Sequence, residues 1–269
     1  MQTQTIQSHA TRREAPSVHR LHLSLAKSES EVREAQRLRY KIFGEEWGAR
    51  LSGRIPGHDT DLFDSYCDHM LVRNQNTGKV IATYRTLTPE AAKSVGSYYS
   101  EETFSLTRLQ HIRPRMMEVG RFCIHPDYRN STVMGLLWSG LGKYLTDHGY
   151  QYMIGCLSIS MADGGRNAAN LYQQLSAEQQ APLEYRVFPF QPLPFEHLAN
   201  GQPARVPPLL KGYLRAGGLV CSEPAWEADF NTADLLLLLP IARLSDRYER
   251  HFMNPQSSGS AQHKNQIVI

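Results

Sequence analysis

The chain has 269 residues, of which 41% are hydrophobic and 20% charged, and its formal net charge is +3. This composition is typical of globular proteins and excludes disordered and fibrous classes, while so small a charge gives no basic stripe for nucleic acid. A chain of this length buries enough apolar surface to fold without disulfides or metals.

The first half of the chain predicts a helix, a hairpin and a strand. Residues 31–43 carry apolar side chains at helical spacing. After a loop rich in Gly and Asp over residues 44–68, two apolar runs flank an Asn-Thr-Gly turn at 76–78, which indicates a β-hairpin. A further strand is predicted over 116–124, ending at His125.

The second half adds a helix over 131–147, with Gly149 as its stop signal, and a buried strand over 152–159. A short helix over 207–216 and two later strands, 219–221 and 234–239, follow. This order predicts an α/β fold with a mixed central sheet flanked by helices.

We expect one domain over residues 26–253, with a loop-rich insertion at about 161–206. Polar segments without periodicity at both ends predict a flexible N-terminal segment (1–25) and a flexible tail (254–269).

Nothing in the sequence indicates a membrane span or a secretion signal. The leucine run 235–239 stops at Pro240, far short of the roughly 20 residues that cross a bilayer. No apolar stretch follows Arg12 and Arg13. We therefore expect a cytoplasmic protein, whose mild positive charge permits peripheral contact with an anionic inner-membrane surface.

The cysteines and histidines lack the close spacing of metal ligands, so we expect no metal site. Isolated cysteines in a chain this long are typical of reduced core thiols. The four cysteines are Cys67, Cys123, Cys156 and Cys221.

The strand over 116–124 ends in a polar loop that opens into a helix, an arrangement that binds anions through free backbone N–H groups. Arg129 at the helix entrance can add a charge-assisted contact; a solvated surface arginine is the alternative. Within the strand, Glu118 and Arg121 point to opposite faces unless a bulge intervenes. Such charges require partners or a function, and simple salt bridges at the strand edge are the alternative.

Two charged clusters flank this region. An acidic loop carries Asp59, Asp61, Asp64 and Asp68, which can bind a cationic group or remain solvated. A basic patch carries Arg108, His111, Arg113 and Arg115, which can meet an acidic protein or form a solvated connection.

These segments, in this order between residues 30 and 252, resemble the ornithine N-alpha-acyltransferases, often labelled haemolysin-like, an acyl-transferring branch of the GNAT fold. The matching segments are 38–43, 61–69, 83–87, 118–121, 125–129, 207–215, 223–226 and 247–252. A more distant likeness is to the acyl-homoserine-lactone autoinducer synthases, through Arg39, Phe43, Trp47, Asp61, Asp64, Arg85, Glu118 and Arg121.

The resemblance implies a GNAT-like acyltransferase that moves a (3-hydroxy)acyl chain to the α-amine of ornithine, giving the lyso form of an ornithine lipid. It implies Glu118 as the base and Tyr213, with Tyr172 as competitor, as the acid that protonates the thiolate. Implied substrate contacts are Arg39, Asp61, Asp64, Arg85 and Arg121. Implied donor contacts are Phe122, Cys123, Ile124 and Arg129; Cys123 itself is expected to be a core thiol and not a nucleophile.

The resemblance also implies acyl carrier protein as donor and partner, with its 4'-phosphopantetheine thioester as a substrate and no bound cofactor. Acetyltransferases of this fold wrap pyrophosphate with two glycines, whereas here Arg129 is followed by Asn130, Ser131, Thr132, Val133 and Met134. This loop favours a single phosphate over coenzyme A. We expect the acidic carrier protein to dock on Arg108, Arg113 and Arg115, or failing that on Arg243, Arg247 and Arg250.

Three alternatives remain open on the sequence. The acceptor can be another amino acid, such as glycine or lysine. The chain can be an autoinducer synthase that uses S-adenosylmethionine. It can also be a non-catalytic, haemolysin-like, membrane-active protein.

Overall fold

The computed structural model describes residues 20–244 and the backbone of residues 266–268. Its strands are β1 (Leu21–Leu25), β2 (Asp68–Asn74), β3 (Val80–Leu87), β4 (Phe104–Ser105), β5 (Met116–Ile124), β6 (Tyr152–Ser160), β7 (Phe188–Pro189), β8 (Leu219–Val220), β9 (Ala225–Glu227), β10 (Thr232–Pro240) and β11 (Gln266–Val268). Its helices are α1 (Glu29–Arg39), α2 (Pro89–Val95), α3 (Ser131–His148), α4 (Arg166–Gln173), α5 (Phe195–Leu198) and α6 (Pro208–Ala216). A π-helical turn (Tyr40–Glu46) continues α1, and short 3-10 turns include Leu62–Tyr66 and Tyr99–Glu102.

Nine of the described strands form one mixed sheet, in the order β11–β1–β2–β3–β5–β6–β10–β8 with β9 beside β10. β4 and β7 pair separately. Helices flank the sheet, which confirms the predicted α/β architecture. Within the described residues, no helix has both the length and the apolar character needed to cross a membrane.

The sequence prediction was most accurate at the centre of the chain. The β2–β3 hairpin, strand β5, helix α3 and strand β6 lie where the patterns placed them. Segment 161–206 contains α4, α5 and β7, in keeping with a helix followed by a covering insertion. Helical periodicity identified α3, whereas the strands were recognisable as short apolar runs because most of their residues are buried on both faces.

The predicted flexible ends need correction. Residues 21–25 form β1, where Leu21 and Leu23 alternate with polar residues and are buried against the sheet. At the other end, residues 266–268 pair in parallel with β1. The motif at 247–252, with Arg247 and Arg250, lies outside the described residues.

Two apolar layers cover the sheet. On one face, α3 and α6 pack on alternate residues of the central strands, with Leu137, Leu141 and Tyr213 in the core. On the other face lies a separate cluster around Phe104 and Leu236.

The parallel strands β5 and β6 pair over only part of their length. Their register covers Met116–Glu118 on β5 and Tyr152–Ile154 on β6. The next residue of β6 is Gly155, where a Cβ atom would lie 2.6 Å from the carbonyl oxygen of Val119. Glycine is therefore required at the point where the strands begin to part.

Helix α3 approaches the sheet closely through Gly140. A Cβ atom at this position would lie 2.3 Å from Cδ2 of Leu23, whereas a Cβ atom on Gly135 would meet nothing within 4 Å. Gly140→Ala should therefore lower the free energy of unfolding by about 1–3 kcal/mol through overpacking. Gly135→Ala, the matched control, should raise it by roughly 0.5–1 kcal/mol, because alanine is the better helix former. Urea denaturation measures both; equal effects of the two changes would contradict the close approach.

Candidate active site

A cavity of about 610 Å³ opens where β5 and β6 part. β5 contributes residues 119–124 and β6 residues 155–158, while the π-helical turn, α3, α6 and β10 complete the wall. Its apolar lining includes Phe43, Trp47, Tyr84, Phe122, Met134, Leu157, Leu209, Phe230 and Leu237. A cavity of this size and lining accepts an apolar chain together with a small polar group.

A β-bulge at Arg121 turns this side chain toward the acidic loop. In the pairing of β3 with β5, Thr83 lies opposite Cys123 whereas Arg85 lies opposite Gly120, so β5 contains one extra residue. Arg121 has a φ angle of 51°, in the left-handed region that residues with a Cβ atom rarely adopt. Without a bulge, the spacing of Glu118 and Arg121 would place them on opposite faces of the strand. The bulge brings both side chains to one face.

The acidic loop folds over α1, where Arg39 holds it. The guanidinium donates to Asp59 from Nε at 2.8 Å and to both carboxylate oxygens of Asp64 at 2.8 Å each. Gln36, on the same helix, donates to Asp64 at 2.9 Å. Arg39 is 0% exposed and is not part of the cavity wall. In this structure it positions the acidic loop, in contrast to the direct substrate contact that the resemblance implied.

Arg85 and Arg121 complete this buried ion network. Arg85 donates to Asp61 at 2.6 Å and to Asp64 at 2.8 Å. Arg121 donates to Asp59 and to Asp61, at 3.1 Å each. Each of the three carboxylates therefore bridges two guanidinium groups. Asp61 and Asp64, expected to hold a substrate's ammonium groups, are already committed to arginines.

The network lowers the pKa values of Asp61 and Asp64. Burial alone would raise the pKa of Asp64, but the charges and hydrogen bonds of Arg39 and Arg85 outweigh it and hold that pKa well below its ordinary range. Burial also tends to raise the pKa of Asp61, but the charges of Arg85 and Arg121 outweigh this effect, so the pKa is lowered. Loss of one guanidinium would leave an uncompensated buried charge.

Glu118 lies beside the network but is held by a different segment. Its carboxylate accepts hydrogen bonds from the backbone N–H groups of Tyr99 at 2.6 Å and Ser100 at 2.8 Å, and from the Ser100 hydroxyl. Burial raises the pKa of Glu118, and these hydrogen bonds partly offset the rise. A space of about 10 Å³, lined also by Arg85 and Gly120, adjoins the carboxylate. This is close to the minimum volume for one water molecule.

The aromatic ring of Tyr99 separates Glu118 from the main cavity. The guanidinium carbon of Arg121 lies 4.7 Å from its ring centre and that of Arg85 lies 5.5 Å away. Tyr99 and Ser100 were not identified from the sequence, since no motif distinguishes them from other residues of a connecting loop. Gly120, like Tyr99, lines both the small space and the main cavity and therefore lies between them.

The two candidate tyrosines occupy different places. Tyr213 lines the cavity, and its hydroxyl lies 2.7 Å from that of Tyr84, another cavity residue. Burial raises the pKa of Tyr213, so the phenol keeps its proton at neutral pH. Tyr172 instead packs against Phe195, with ring centres 4.8 Å apart, and is not part of the cavity wall. Of the two tyrosines, only Tyr213 is therefore placed to meet a thiolate in the cavity.

The predicted donor contacts Phe122, Cys123, Ile124 and Arg129 all line the cavity. Burial raises the pKa of Cys123 to about 12, which agrees with a core thiol. Arg129 donates to the carbonyl oxygen of Ile124 at 3.1 Å and to Glu46 at 2.6 Å. At the start of α3, the Asn130 side chain accepts hydrogen bonds from the backbone N–H groups of residues 132 and 133.

Asp234 was not identified from the sequence as a site residue. It lines the cavity, is 7% exposed and accepts a hydrogen bond from the Thr232 hydroxyl at 2.9 Å. Burial raises its pKa to about 6. The available signal was a charged residue at the head of a strand of five leucines, since a buried carboxylate requires a partner or a function.

The basic patch lies away from the cavity mouth. A guanidinium nitrogen of Arg113 lies 2.7 Å from a carboxylate oxygen of Glu101, and the guanidinium carbon of Arg108 lies 4.9 Å from the ring centre of Phe188. This patch precedes the first residue of β5, whereas the donor-side wall belongs to the last residues, roughly 25 Å further along an extended strand. The patch is thus separated from the cavity wall at residues 122–124, and docking of a donor protein on it stays a prediction. Among the described residues, no three His, Cys, Asp or Glu side chains are grouped to hold a metal ion.

The ion network predicts a strong dependence on Arg39. Arg39→Met should lower the free energy of unfolding by about 3–5 kcal/mol, because Asp59 and Asp64 would stay buried without their partner. Arg37→Met on the same helix is the control; this side chain is exposed and lies beside His58, so its loss should cost less than about 1 kcal/mol. Denaturant titration at pH 7 compares the two variants, and a similar loss in both would contradict a stabilising network.

Comparison with known proteins identifies the domain family and the fold. Residues 38–139 match the model of the acetyltransferase (GNAT) domain family. Among solved structures, the acyl-homoserine lactone synthase BjaI, described as CoA-dependent, superposes with a TM-score of 0.54 at 14% identity, covering 93% of each chain. FeeM, an N-acyl amino acid synthase from uncultured soil microbes, gives 0.50 at 10% identity, covering 84% of this chain and 94% of its own. These likenesses show the fold.

Sequence relatives define the family more closely. Over 86% of its length, the chain is 32% identical to the L-ornithine N(alpha)-acyltransferase of Brucella abortus (strain 2308), covering 88% of that protein. It is 33% identical to the enzyme of the same name from Rhizobium meliloti (strain 1021), covering 84% of that protein. With this identity over most of both chains, the protein belongs to the L-ornithine N(alpha)-acyltransferase family.

Proposed function

We propose that this enzyme transfers an acyl chain from acyl carrier protein to the α-amine of ornithine, forming lyso-ornithine lipid. The observation that carries the proposal is the apolar cavity between β5 and β6 in a chain of this family. The cavity has room for an acyl thioester, and charged groups at one end provide for an amino acid. A non-catalytic membrane-active role would leave this arrangement without a purpose.

The reaction requires four events in the space between the parted strands β5 and β6, which we call the gap. The neutral α-amine attacks the thioester carbonyl carbon, forming a C–N bond and a tetrahedral oxyanion. Collapse of the oxyanion breaks the C–S bond and releases the pantetheine thiolate. The nitrogen loses a proton, and the thiolate gains one. Holding both substrates in contact supplies several kcal/mol of the rate enhancement.

Backbone N–H groups of β5 supply the oxyanion contact in this proposal. Beyond Glu118 the described register of β5 with β6 ends, and the bulge leaves the extra residue outside the ladder with β3. Within residues 119–124, the N–H groups that do not pair with β3 are therefore available to a ligand in the cavity. Fixed donors of this kind stabilise developing charge without reorganisation.

Glu118 acts as the base through a water molecule. Its carboxylate is buried behind Tyr99, so it reaches the amine through the small space shared with Gly120. A raised pKa makes the carboxylate a better proton acceptor than a solvated one. On the opposite side, Tyr213 delivers a proton to the thiolate, and Tyr84, 2.7 Å away, orients the phenol.

The acceptor's carboxylate binds Arg121. This residue lines the cavity, unlike Arg85, which is buried behind it. Asp59 and Asp61 hold two of the Arg121 nitrogens and fix the guanidinium plane. Asp61, Asp64 and Arg85 contribute by positioning Arg121 in place of touching the substrate.

The start of α3 supports a carrier-protein donor over coenzyme A. Pyrophosphate needs several free N–H groups, yet here the Asn130 side chain occupies those of residues 132 and 133. A single phosphodiester of phosphopantetheine requires fewer donors. Arg129, at the cavity wall, lies beside this helix start.

We place the carrier-protein dock at the mouth of the cavity. Lys41 and His125 lie 3.2 Å apart there, Arg129 adjoins them, and the charge of Lys79 acts on His125. An acidic partner is attracted to such a surface, and salt weakens that attraction. We call Lys41, Lys79, His125 and Arg129 the mouth surface.

Glu118→Gln should lower kcat at least about tenfold, since the amide cannot accept the proton. Glu184→Gln, on the exposed insertion, is the control and should leave kcat unchanged. The assay follows transfer from a purified acyl carrier protein to ornithine by mass spectrometry, with glycine, lysine and S-adenosylmethionine as competing acceptors. Wild-type kcat in a folded Glu118→Gln protein would remove this residue from the mechanism, and preferred acylation of another acceptor would contradict the proposed substrate.

The double change Lys41→Glu with Lys79→Glu should raise KM for the carrier-protein donor several-fold and leave KM for ornithine unchanged. Each exposed charge contributes little, roughly 0.2–1 kcal/mol, so the double reversal is the sharper test. Arg108→Glu with Arg115→Glu changes the net charge equally, at the other end of β5, and should leave donor KM unchanged. If this control raised donor KM and the mouth variant did not, the dock would lie on the basic patch.

A further inference from the structure

Asp234 faces the side of the sheet opposite α3 and α6. Its neighbours on β10, Ala233 and Leu235, belong to the core beneath those helices, so by alternation Asp234 points to the other face. It pairs with Ser158 across β6, and both residues line the cavity. Helix α3, where the donor is proposed to bind, and the Asp234 carboxylate therefore lie on opposite faces of the sheet, on either side of the space between β5 and β6.

On this face Asp234 shares the cavity with Arg121. The Arg121 charge acts on the Asp234 carboxyl group, while Glu227 on the adjacent strand adds negative charge. The rings of Tyr99 and Phe230 lie 4.7 and 5.1 Å from the guanidinium carbon of Arg121. One guanidinium and one carboxylate, with aromatic rings near the guanidinium, thus line one end of the cavity.

Asp234 lacks the cation that a buried carboxylate needs. Among the described residues no Lys, Arg or His nitrogen lies within 4.0 Å of it, whereas Asp59, Asp61 and Asp64 each have two arginine partners. Hydroxyl groups of Thr232 and Ser158 are its hydrogen-bond donors. Burying a carboxylate in this way is costly unless a positive charge completes the site.

We propose that Asp234 binds the side-chain ammonium group of the acceptor and thereby selects a diamino acid over neutral amino acids. The inference rests on the proposed function and deepens it by assigning acceptor specificity. Arg121 binds the acceptor's carboxylate, the α-amine points to the gap, and the aliphatic chain runs toward Asp234. The buried carboxylate gains its missing cation only when this substrate is bound.

The test compares ornithine with norvaline, which has the same carbon chain but no δ-amine. Wild-type enzyme should prefer ornithine in kcat/KM. In Asp234→Asn, kcat/KM for ornithine should fall roughly 10- to 150-fold, the range for losing a hydrogen bond to a charged group. The value for norvaline should stay unchanged, so that the discrimination is lost. Asp229→Asn, an exposed residue paired with Arg50, is the control and should change neither value.

Two results would overturn the assignment: an Asp234→Asn enzyme that keeps its preference for ornithine, or one that loses both acceptors equally, as a merely structural residue would. Thermal unfolding of both variants shows whether each is folded. The rate of the wild-type enzyme with ornithine tests the proposed function, whereas the ratio of kcat/KM for ornithine to that for norvaline tests the role of Asp234. A wild-type enzyme that acylated norvaline but not ornithine would contradict both.

Discussion

The parting of two parallel strands, β5 and β6, is the constraint on which the rest of the structure depends. Continuous pairing would close the sheet and leave no room between its faces. Here the described register stops after Glu118 and Ile154, and the space that opens becomes the cavity. Backbone donors of β5 that β6 would otherwise occupy are left for a substrate.

The buried ion network ties the acidic loop to α1, β3 and β5. An apolar cluster of equal volume would be at least as stabilising as these ion pairs, so stability alone does not explain them. What the network provides is orientation, because Asp59 and Asp61 fix the plane of Arg121 at the bulge. The charges of the network balance internally, whereas Asp234 on the same face remains without a cation among the described residues. This contrast separates the groups that build the site from the group that we assign to the substrate.

Much of the frame was predictable from the sequence, since apolar runs identify buried strands and helical periodicity identifies helices. Strand β5 is an example of the first and helix α3, which ends at Gly149, of the second. The family resemblance named Arg85 and Arg121 as substrate contacts, and this stays a prediction. Their ion pairs with the acidic loop were not foreseen, because sequence spacing does not show which carboxylate meets which guanidinium. Tyr99 and Asp234 were missed because they reach the cavity through a loop and through strand register, neither of which leaves a local pattern.

The central claim is that donor and acceptor meet at the gap from opposite faces of the sheet. A crystal structure with a bisubstrate analogue, in which the α-nitrogen of ornithine is joined through an acyl linker to phosphopantetheine, tests it most directly. The account predicts the phosphate beside Arg129 at the start of α3, the linker between β5 and β6, and the ornithine portion between Arg121 and Asp234. An analogue bound with both ends on one face, or outside the gap, would contradict the account.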